Sequence, residues 1–486
     1  MAVDRVGLWT RLTYGSGSIS EGVKNAAFNT FLLFYYNVVL GLSGTLSGTA
    51  ILLALVVDAI TDPLVGSLSD NLHSRWGRRH PFMYASALPM GVAFWLLFNP
   101  PDGLDSTALF AWFATFAILV RTSMTFYSIP SNAMVAELTP SYDERTSLVS
   151  WRFFFGWAGG ITIAQVGYRI FFASRPGFSD GRLDESAYGG FALVCAITIV
   201  VAILGCSLGT HRLIPRLKPP PASTKFTLKR LLGEMREVFS NHSYLMLVFG
   251  SFFASVAGGF NDVVGLYMGT YFWGFSSGQI ATMGLFLVIA LVAGVGLAKP
   301  MSQLFDKRRV AIGLAGAAIL LGPLPIFLRL LGLMPSNGHP ALLPLLVAHS
   351  VTLVTAVIII GILLASMIAD VIDENELVTG KRQEGMFSSV IAFTSKATSG
   401  IGGFLAGLAL DLIAFPTRAE PGTVPDEKLF LLGLAVGPCM MLLFLLSLFF
   451  LRRYRITRAR YVEIFAELER RNGRVVGGGA APAAEP

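Results

Sequence analysis

The sequence predicts an all-α integral membrane protein whose twelve transmembrane helices form two halves of six. Three observations predict it. Hydrophobic residues make up 53% of the 486 residues and charged residues only 14%, against about a quarter in soluble domains, and the mean hydropathy is +0.63. Twelve mostly apolar segments reach the roughly 20 residues that cross a bilayer. Lys and Arg concentrate in alternate loops, as they do in multi-pass proteins.

The twelve segments follow one another along the chain with polar or glycine- and proline-containing loops between them. Several exceed the minimum length, which indicates tilted or protruding helices. The predicted helices lie near residues 12–40, 45–71, 82–99, 107–137, 146–173, 187–210, 242–273, 277–300, 309–333, 341–371, 384–415 and 429–452.

One long polar interruption divides the chain. It contains the run Pro219-Pro220-Pro221 and an amphipathic stretch at 228–239, a pattern typical of a linker with a surface helix. The tail is expected to begin with a second amphipathic helix at 455–471. We predict an N-terminal six-helix half at 1–210, a cytoplasmic linker at 211–241, a C-terminal six-helix half at 242–454 and a cytoplasmic tail at 455–486.

Loop charge predicts that both termini lie in the cytoplasm. With that orientation the inner loops and tails carry most of the 37 Lys and Arg residues, which is the positive-inside bias. Topology then explains the net charge of +7, and no nucleic-acid partner is needed. We expect a monomeric, multi-pass protein of the cytoplasmic (inner) membrane, surrounded by membrane lipid. The predicted outer loops carry only Arg175, Arg182, Arg329, Arg418 and Lys428.

The sequence gives no sign of an enzyme or of a bound cofactor. The three cysteines lie in apolar segments without metal-ligand spacing. No nucleophile–base pair, phosphate-binding glycine loop or histidine cluster stands out, and the glycine-rich patches are typical of helix-packing surfaces. No cleavable signal peptide is evident, because the start lacks an apolar core before its polar residues.

Two aspartates interrupt the second predicted helix. Asp58 and Asp62 are four residues apart, so they stack on one face of the helix. Acids inside a membrane span are costly and are functional candidates by default. With the hydroxyls of Thr61 and Thr125 they offer hard oxygen ligands that suit Na⁺ or Li⁺, whereas a carboxylate alone suits H⁺. We predict that these four residues bind a coupling ion, Na⁺ or H⁺, with both aspartates as metal ligands if the ion is Na⁺.

Arg121 keeps an alternative open, namely a buried ion-pair network without a transported ion. If Arg121 faces the acidic pair, its fixed positive charge competes with a metal ion. A proton can still couple to transport by switching such a salt bridge on and off.

Other polar residues inside the predicted helices are candidates for binding a solute. Arg152 can hold a hydroxyl or carboxylate in two-point contact, although a headgroup anchor at the helix start explains it equally well. Lys396 can meet the carboxylates across the half interface or extend to the cytoplasmic surface. The seventh helix carries Asn261 and Asp262. The predicted solute-binding set is Glu21, Lys24, Asn25, Arg121, Ser128, Arg152 and Lys396.

Corresponding loops of the two halves place an acid before basic residues, which suggests that one half is a rotated copy of the other. Such repeats permit the halves to rock around a midplane site. The loop after helix 10 supplies further carboxylates, and a merely basic cytoplasmic loop is the alternative. We predict gating ion pairs across the half interface from Asp70, Arg78, Arg79, Asp306, Arg308, Asp370 and Asp373.

Several stretches resemble a known family. They are Tyr14-Gly15-x-Gly17, the run FYYNVVLGLS at 34–43, and DAITDPLVG at 58–66 continuing to SRWGR at 74–78. They look like the melibiose-permease type, the glycoside–pentoside–hexuronide:cation symporter family of the major facilitator superfamily, and the resemblance covers nearly the whole chain. It implies the major facilitator fold and Na⁺-, Li⁺- or H⁺-coupled symport by alternating access.

The resemblance also implies roles for single residues. The family's cation-site carboxylates match Asp58 and Asp62, its helix 4 threonine ligand matches Thr125, its helix 11 lysine matches Lys396, and its helix 5 arginine near the sugar matches Arg152.

The sequence departs from the family at the sugar contacts. A sugar-binding aspartate of helix 1 falls at Gly22 and another at Ser128, and a glycine of the cation site appears as Arg121. Family tryptophans fall at Asn132 and Gly361. The coupling residues are therefore matched and the galactoside contacts are not; Glu21, Lys24 and Asn25 can rebuild a different polar site.

These observations predict a secondary active transporter that couples a cation to the symport of a sugar or glycoside. A lysolipid or other amphiphile is the alternative solute, because the sugar-binding acids are lost and a lysophosphatidylcholine-transporting branch shares the helix 2 motif. A non-transporting membrane scaffold is a third possibility.

Overall fold

The computed structural model describes residues 6–139, 142–175, 180–216, 241–380 and 400–471, and helices account for most of them. Predictions that fall elsewhere, namely the linker stretch at 228–239 and Lys396, lie outside the described residues.

The N-half, α1–α6, contains six successive crossings. The first, α1, is assembled from four short segments, and α5 ends in a π-helical turn. The bounds are Leu8–Ser16, Ile19–Ala26, Ala27–Leu32 and Tyr35–Val39 for α1, Gly44–Asn71 for α2, His80–Leu97 for α3, Ser106–Leu138 for α4, Tyr142–Val166 with Gly167–Phe171 for α5, and Glu185–His211 for α6.

The C-half, α7–α12, repeats this arrangement and is followed by a tail helix, α13. The bounds are His242–Tyr267 with Met268–Phe272 for α7, Ser277–Leu304 for α8, Lys307–Leu321 with Leu324–Leu330 for α9, Leu342–Thr379 for α10, Gly400–Leu412 for the described part of α11, Asp426–Leu434, Ala435–Cys439 and Met440–Arg452 for α12, and Arg458–Arg471 for α13.

The predicted twelve-helix architecture is confirmed. Among the described residues, eight helices are long and apolar enough to cross a membrane, namely α2, α4, α6–α10 and α12. The other four crossings are α1, which is broken and polar, the shorter α3, α5, and α11, which is described only from Gly400. The predicted tail helix is also present as α13.

Packing is concentrated within each half. In the N-half, α2 and α3 pack on α4, and α1 packs on α5 and α6. In the C-half, α8 and α9 pack on α10, and α7 packs on α12. The helices before residue 211 thus pack mainly with one another, as do those after residue 241, and the predicted domain bounds stay predictions.

Two glycines let α1 approach its neighbouring helices closely near its start. A Cβ at Gly17 would lie 1.8 Å from the Tyr127 hydroxyl oxygen, and a Cβ at Gly22 would lie 1.9 Å from the Gly156 carbonyl oxygen. Only glycine allows approaches this close. As a result α1 lies directly against α4, α5 and α6, and its polar side chains are held beside theirs.

The helices alternate direction, so the described loops fall on two sides. We call the side where residues 211–241 connect the halves the linker side, and the other the opposite side. The halves are hydrogen-bonded on the opposite side: the Asp411 carboxylate accepts from the backbone N–H of Gly44 (2.8 Å) and of Thr45 (2.7 Å), and Arg418 N–H donates to the Val38 carbonyl (3.0 Å). The described conformation is therefore closed on the opposite side.

Candidate functional site

Three oxygen-bearing side chains meet where α2 faces α4. The Thr125 hydroxyl lies 2.7 Å from Asp58 Oδ1 and 2.9 Å from Asp62 Oδ1. The two aspartates are one helical turn apart, so one hydroxyl reaches both. A hydroxyl has one hydrogen to donate, so Thr125 serves both carboxylates with a single hydrogen. The arrangement suits a proton or a small cation.

Arg121 lies one turn before Thr125 and faces the same site. Its Nη1 is 3.3 Å from Asp58 Oδ2, and its guanidinium carbon is 6.0 Å from the centroid of the Phe28 ring. Arg121 and Asp58 are both buried, so the pair compensates two charges that would be costly alone. Among the described residues Arg121 forms its ion pair with Asp58. Asp62 accepts a hydrogen bond from Thr125.

Thr61, the fourth predicted cation ligand, is oriented differently. Its hydroxyl donates to the Asp58 backbone carbonyl at 3.2 Å, a bond within its own helix turn. The structure therefore brings together Asp58, Asp62 and Thr125. The hydroxyl hydrogen of Thr61 is used in a hydrogen bond to the backbone instead.

Arg152 anchors a second polar cluster between α1, α4 and α5. Its Nη1 donates to the Ser131 hydroxyl (2.8 Å) and to the Tyr14 hydroxyl oxygen (3.2 Å), and its Nη2 donates to Glu21 Oε1 (3.0 Å). Tyr14 in turn donates to the Ser131 carbonyl at 2.7 Å. Arg152 is buried while the Glu21 side chain stays 30% exposed. The cluster thus orients a partly accessible carboxylate, and a headgroup anchor does not describe Arg152.

The other predicted solute-binding residues lie near these two clusters. Lys24 is half-buried, with its ammonium 5.8 Å from the centroid of the same Phe28 ring that Arg121 faces. Asn25 is exposed and Ser128 is buried. Glu21 forms its described ion pair with Arg152 rather than with its helix neighbour Lys24.

On the linker side, the N-half ion pairs converge on one residue that the sequence analysis missed. Glu137 Oε1 accepts from Arg78 Nη2 at 2.6 Å and from Arg79 Nε at 3.1 Å, and Arg79 also pairs with Asp70. The sequence did offer a signal for Glu137, because it is an acid in the last turn of a helix that ends among basic loops. All four residues belong to one half.

The predicted gating residues of the C-half also pair within their own half. Lys307 pairs with Asp370. Asp306 accepts from the backbone N–H of Arg308 and of Arg458, each at 2.8 Å, and so ties the start of α9 to the tail helix. Arg308 donates to the backbone of α12 through the Arg452 carbonyl at 2.8 Å.

Two tyrosines of the tail region complete this C-half cluster. Tyr461 lies 3.5 Å from the predicted gating residue Asp373. Tyr454 lies 3.5 Å from Asp370, and burial, followed by the nearby Asp370 charge, raises the pKa of its hydroxyl well above the ordinary value, so it stays a donor. In this conformation the described linker-side pairs join residues of one half, and pairing across the interface stays a prediction.

Twelve crossings in two halves, with charged clusters inside the membrane span, define a secondary transporter of the major facilitator fold. Solved structures share that fold: the nucleoside transporter NupG has a TM-score of 0.59 at 13% identity, covering 92% of this chain and 99% of that one. The inward-open xylose transporter XylE from E. coli has a TM-score of 0.59 at 17% identity, covering 94% and 98%.

The family model described as MFS/sugar transport protein matches residues 13–458. The chain belongs to this family. Its relatives include an uncharacterized symporter of Synechocystis, sll1374, at 26% identity over 97% of this chain and 98% of the relative. The putative glycoside/cation symporter YagG of Escherichia coli is 28% identical over 94% of both chains. The isoprimeverose transporter of Lactiplantibacillus pentosus is 26% identical over 81% of this chain and 79% of the relative.

Proposed function

We propose that the protein is a symporter that couples a cation, Na⁺ or H⁺, to the movement of a sugar or glycoside by alternating access. The observation that carries the proposal is the meeting of Asp58, Asp62 and Thr125. Relatives named as symporters and as sugar transporters support the same function.

The acidic pair gives the coupling a physical basis. Two carboxylates this close repel each other unless a positive charge lies between them. Arg121 supplies one fixed positive charge at Asp58, and the coupling ion is proposed to bind beside Asp62 and the Thr125 hydroxyl. Ion binding there neutralises the site, which lowers the cost of closing it away from water. The ion thus favours the closed, solute-loaded protein over the open one.

The Glu21–Arg152 cluster is proposed to contact the solute. Arg152 fixes Glu21 by an ion pair of 3.0 Å while part of the carboxylate remains accessible. A fixed carboxylate accepts hydrogen bonds from sugar hydroxyls and rejects solutes that lack them. The names of the relatives favour a sugar over the lysolipid alternative.

We further propose that the linker side is cytoplasmic, that the protein is a monomer in the inner membrane surrounded by lipid, and that the described conformation is closed to the outside. The basic residues of the linker-side loops support this orientation.

Uptake into proteoliposomes tests the proposed function. The solutes are isoprimeverose, lactose, methyl β-D-glucoside and methyl β-D-glucuronide, each with a Na⁺ gradient, a pH gradient or neither. We expect at least one neutral sugar to accumulate only with a gradient, and Asp62→Asn to abolish that accumulation. The matched control, Asp102→Asn on the exposed opposite-side loop, keeps it. Uptake that ignores both gradients for every solute contradicts the proposal.

A further inference from the structure

The acid of α7 has no role in the sites described above. Asp262 lies within the crossing, about 15 Å along the helix from its Phe272 end, and among the described residues it has no hydrogen-bond or ion-pair partner. Its neighbour Asn261 has a buried side-chain oxygen that likewise lacks a described partner. Unpaired polar groups at this depth are costly and mark solute or ion pathways.

The face of α7 that carries Asp262 is polar and open. Asp262 and Gly265 are exposed while Phe260, Val263 and Val264 are buried. A Cβ added at Gly265, or at Gly258 one turn before Asp262, would contact nothing within 4 Å. Ser251 and Ser255 continue the same face toward the linker side.

The position of its neighbours distinguishes this face from a lipid-facing one. Phe249 and Phe253 on the other side of α7 stack on Phe450 of α12. Toward the opposite side, α7 packs on the Ala27–Leu32 segment of α1, and the Tyr267 hydroxyl donates to Asn37 at 3.0 Å. A membrane-spanning face that carries Asp262 and Asn261 is costly against lipid, which assigns it to the space between the halves, where α1 also presents Glu21.

We propose that Asp262, assisted by Asn261, is a solute-binding residue of the C-half that accepts hydrogen bonds from the hydroxyls of a neutral, polyhydroxylated solute. This inference rests on the proposed function and deepens it, because it assigns a contact in the second half. The part of the solute that lies against α7 carries hydrogen-bond donors, since a carboxylate or phosphate there meets an uncompensated negative charge.

A site built from both halves explains how binding is transmitted. Glu21 and Asp262 belong to different halves, so a solute that contacts both draws them together. A solute that contacts one half alone binds the open and the closed conformation equally well. Because a ligand shifts a conformational equilibrium only by its difference in affinity for the two states, such a solute does not favour closure.

Asp262→Asn tests the inference in the same proteoliposomes, with the neutral sugar of highest uptake and with the matched pair methyl β-D-glucoside and methyl β-D-glucuronide. We expect the KM of the neutral sugar to rise about tenfold or more, the cost of one or two lost hydrogen bonds to a charged group. The preference for the glucoside over the glucuronide should fall, and the ion requirement should remain. An unchanged KM overturns the inference. Loss of the gradient response at unchanged KM also overturns it, because that result assigns Asp262 to the ion.

A space-filling pair of variants guards against misfolding of Asp262→Asn. Gly258→Leu fills the open space beside Asp262 without a contact within 4 Å of its Cβ, and it should fold and block uptake. The control Gly296→Leu also has no atom within 4 Å of its Cβ, and it lies on the exposed apolar face of α8 with Val292. Equal uptake by both variants overturns the inference.

A solute-free measurement separates this inference from the proposed function. Asp262→Cys, with the exposed Cys439 replaced by serine, should react with a membrane-impermeant methanethiosulfonate reagent. Absence of reaction overturns the placement of Asp262 at the aqueous space, whatever the uptake results. If the wild type transports none of the solutes while Asp262→Cys reacts, the proposed function fails and the placement stands.

Discussion

The two halves differ in how their interior charges are compensated. In the N-half, Arg121 and Arg152 are buried and each pairs with an acid of another helix, Asp58 and Glu21. In the described part of the C-half, Lys307 at the start of α9 pairs with the buried Asp370 of α10, and Lys307 is partly exposed. Asp262 occupies the middle of its crossing without a described partner.

This difference assigns different tasks to the halves. Mutually compensated charges hold the N-half helices in fixed positions, which preorganises the proposed ion site and the carboxylate proposed to contact the solute. We infer that the C-half contributes Asp262, whose hydrogen-bond partners arrive with the solute, and that it moves relative to the N-half. We infer that ion binding acts first on the N-half and that the C-half responds through the solute and through its contacts with α1, α2 and α5.

The largest effect is expected from Arg152→Met, which removes one partner of a buried pair. Leaving Glu21 uncompensated should destabilise the protein by about 3–5 kcal/mol and abolish uptake. The C-half counterpart Lys307→Met should cost less, because Lys307 is partly exposed. Thermal melting in detergent measures both. Melting of Arg152→Met at or above that of Lys307→Met contradicts the comparison.

Gly22→Ala tests the backbone contact that positions the N-half clusters. The added Cβ would lie 1.9 Å from the Gly156 carbonyl oxygen, and such overpacking costs about 1–3 kcal/mol. Gly205→Ala on α6 is the matched control, because its Cβ meets no atom within 4 Å. We expect a lower melting temperature and weaker uptake for the first variant only. Equal melting of the two variants would show that the helices separate without cost.

Thr125→Val addresses the ion site while leaving both aspartates in place. Removing the hydroxyl takes a hydrogen-bond partner from Asp58 and Asp62, a loss of about 1–3 kcal/mol, or roughly tenfold to a hundredfold in ion affinity. Uptake at graded Na⁺ concentration and graded pH measures that affinity. Thr282→Val on α8, whose hydroxyl bonds its own helix, should leave it unchanged. An unaltered ion dependence in Thr125→Val would remove the hydroxyl from the coupling site.

Asp411→Asn should have the smallest effect, because Asp411 is exposed. The variant weakens an N-cap-like contact with α2 by about 0.5–1 kcal/mol, and this shifts population toward a conformation open on the opposite side. Spin labels at Asp102→Cys, on an exposed opposite-side loop, and at Glu427→Cys, exposed in the first turn of α12, report the distance between the halves. We expect a larger long-distance population in Asp411→Asn than in the control Glu420→Gln. Identical distance distributions would assign the closure to other contacts.

The sequence predicts those features that depend on spacing along one helix. The twelve crossings, the tail helix and the stacking of Asp58 on Asp62 follow from hydrophobic runs and from the four-residue period. Thr125 enters the predicted site as a polar residue inside the fourth predicted helix and is matched by the family resemblance, because no spacing rule connects it to the aspartates of a different helix. The predicted division of roles among the site residues remains to be tested by the variants above.

The contacts that the sequence does not reveal are those between helices. Glu137 and Asp411 look like ordinary charged residues at helix ends, and only packing brings them to Arg79 and to the start of α2. The hydrogen bond of Arg152 with Tyr14 likewise joins two helices, α5 and α1. Side-chain type and spacing carry no information about which helices are neighbours.

Substitutions at the two ends of the contact between Asp411 and α2 should have unequal effects. The carboxylate binds the backbone N–H groups of Gly44 and Thr45, so the side chain at position 45 contributes nothing to it. A saturation scan should therefore tolerate every substitution at position 45 except proline, which removes the N–H, while position 411 tolerates few. Covariation between the two positions is not expected, although they touch.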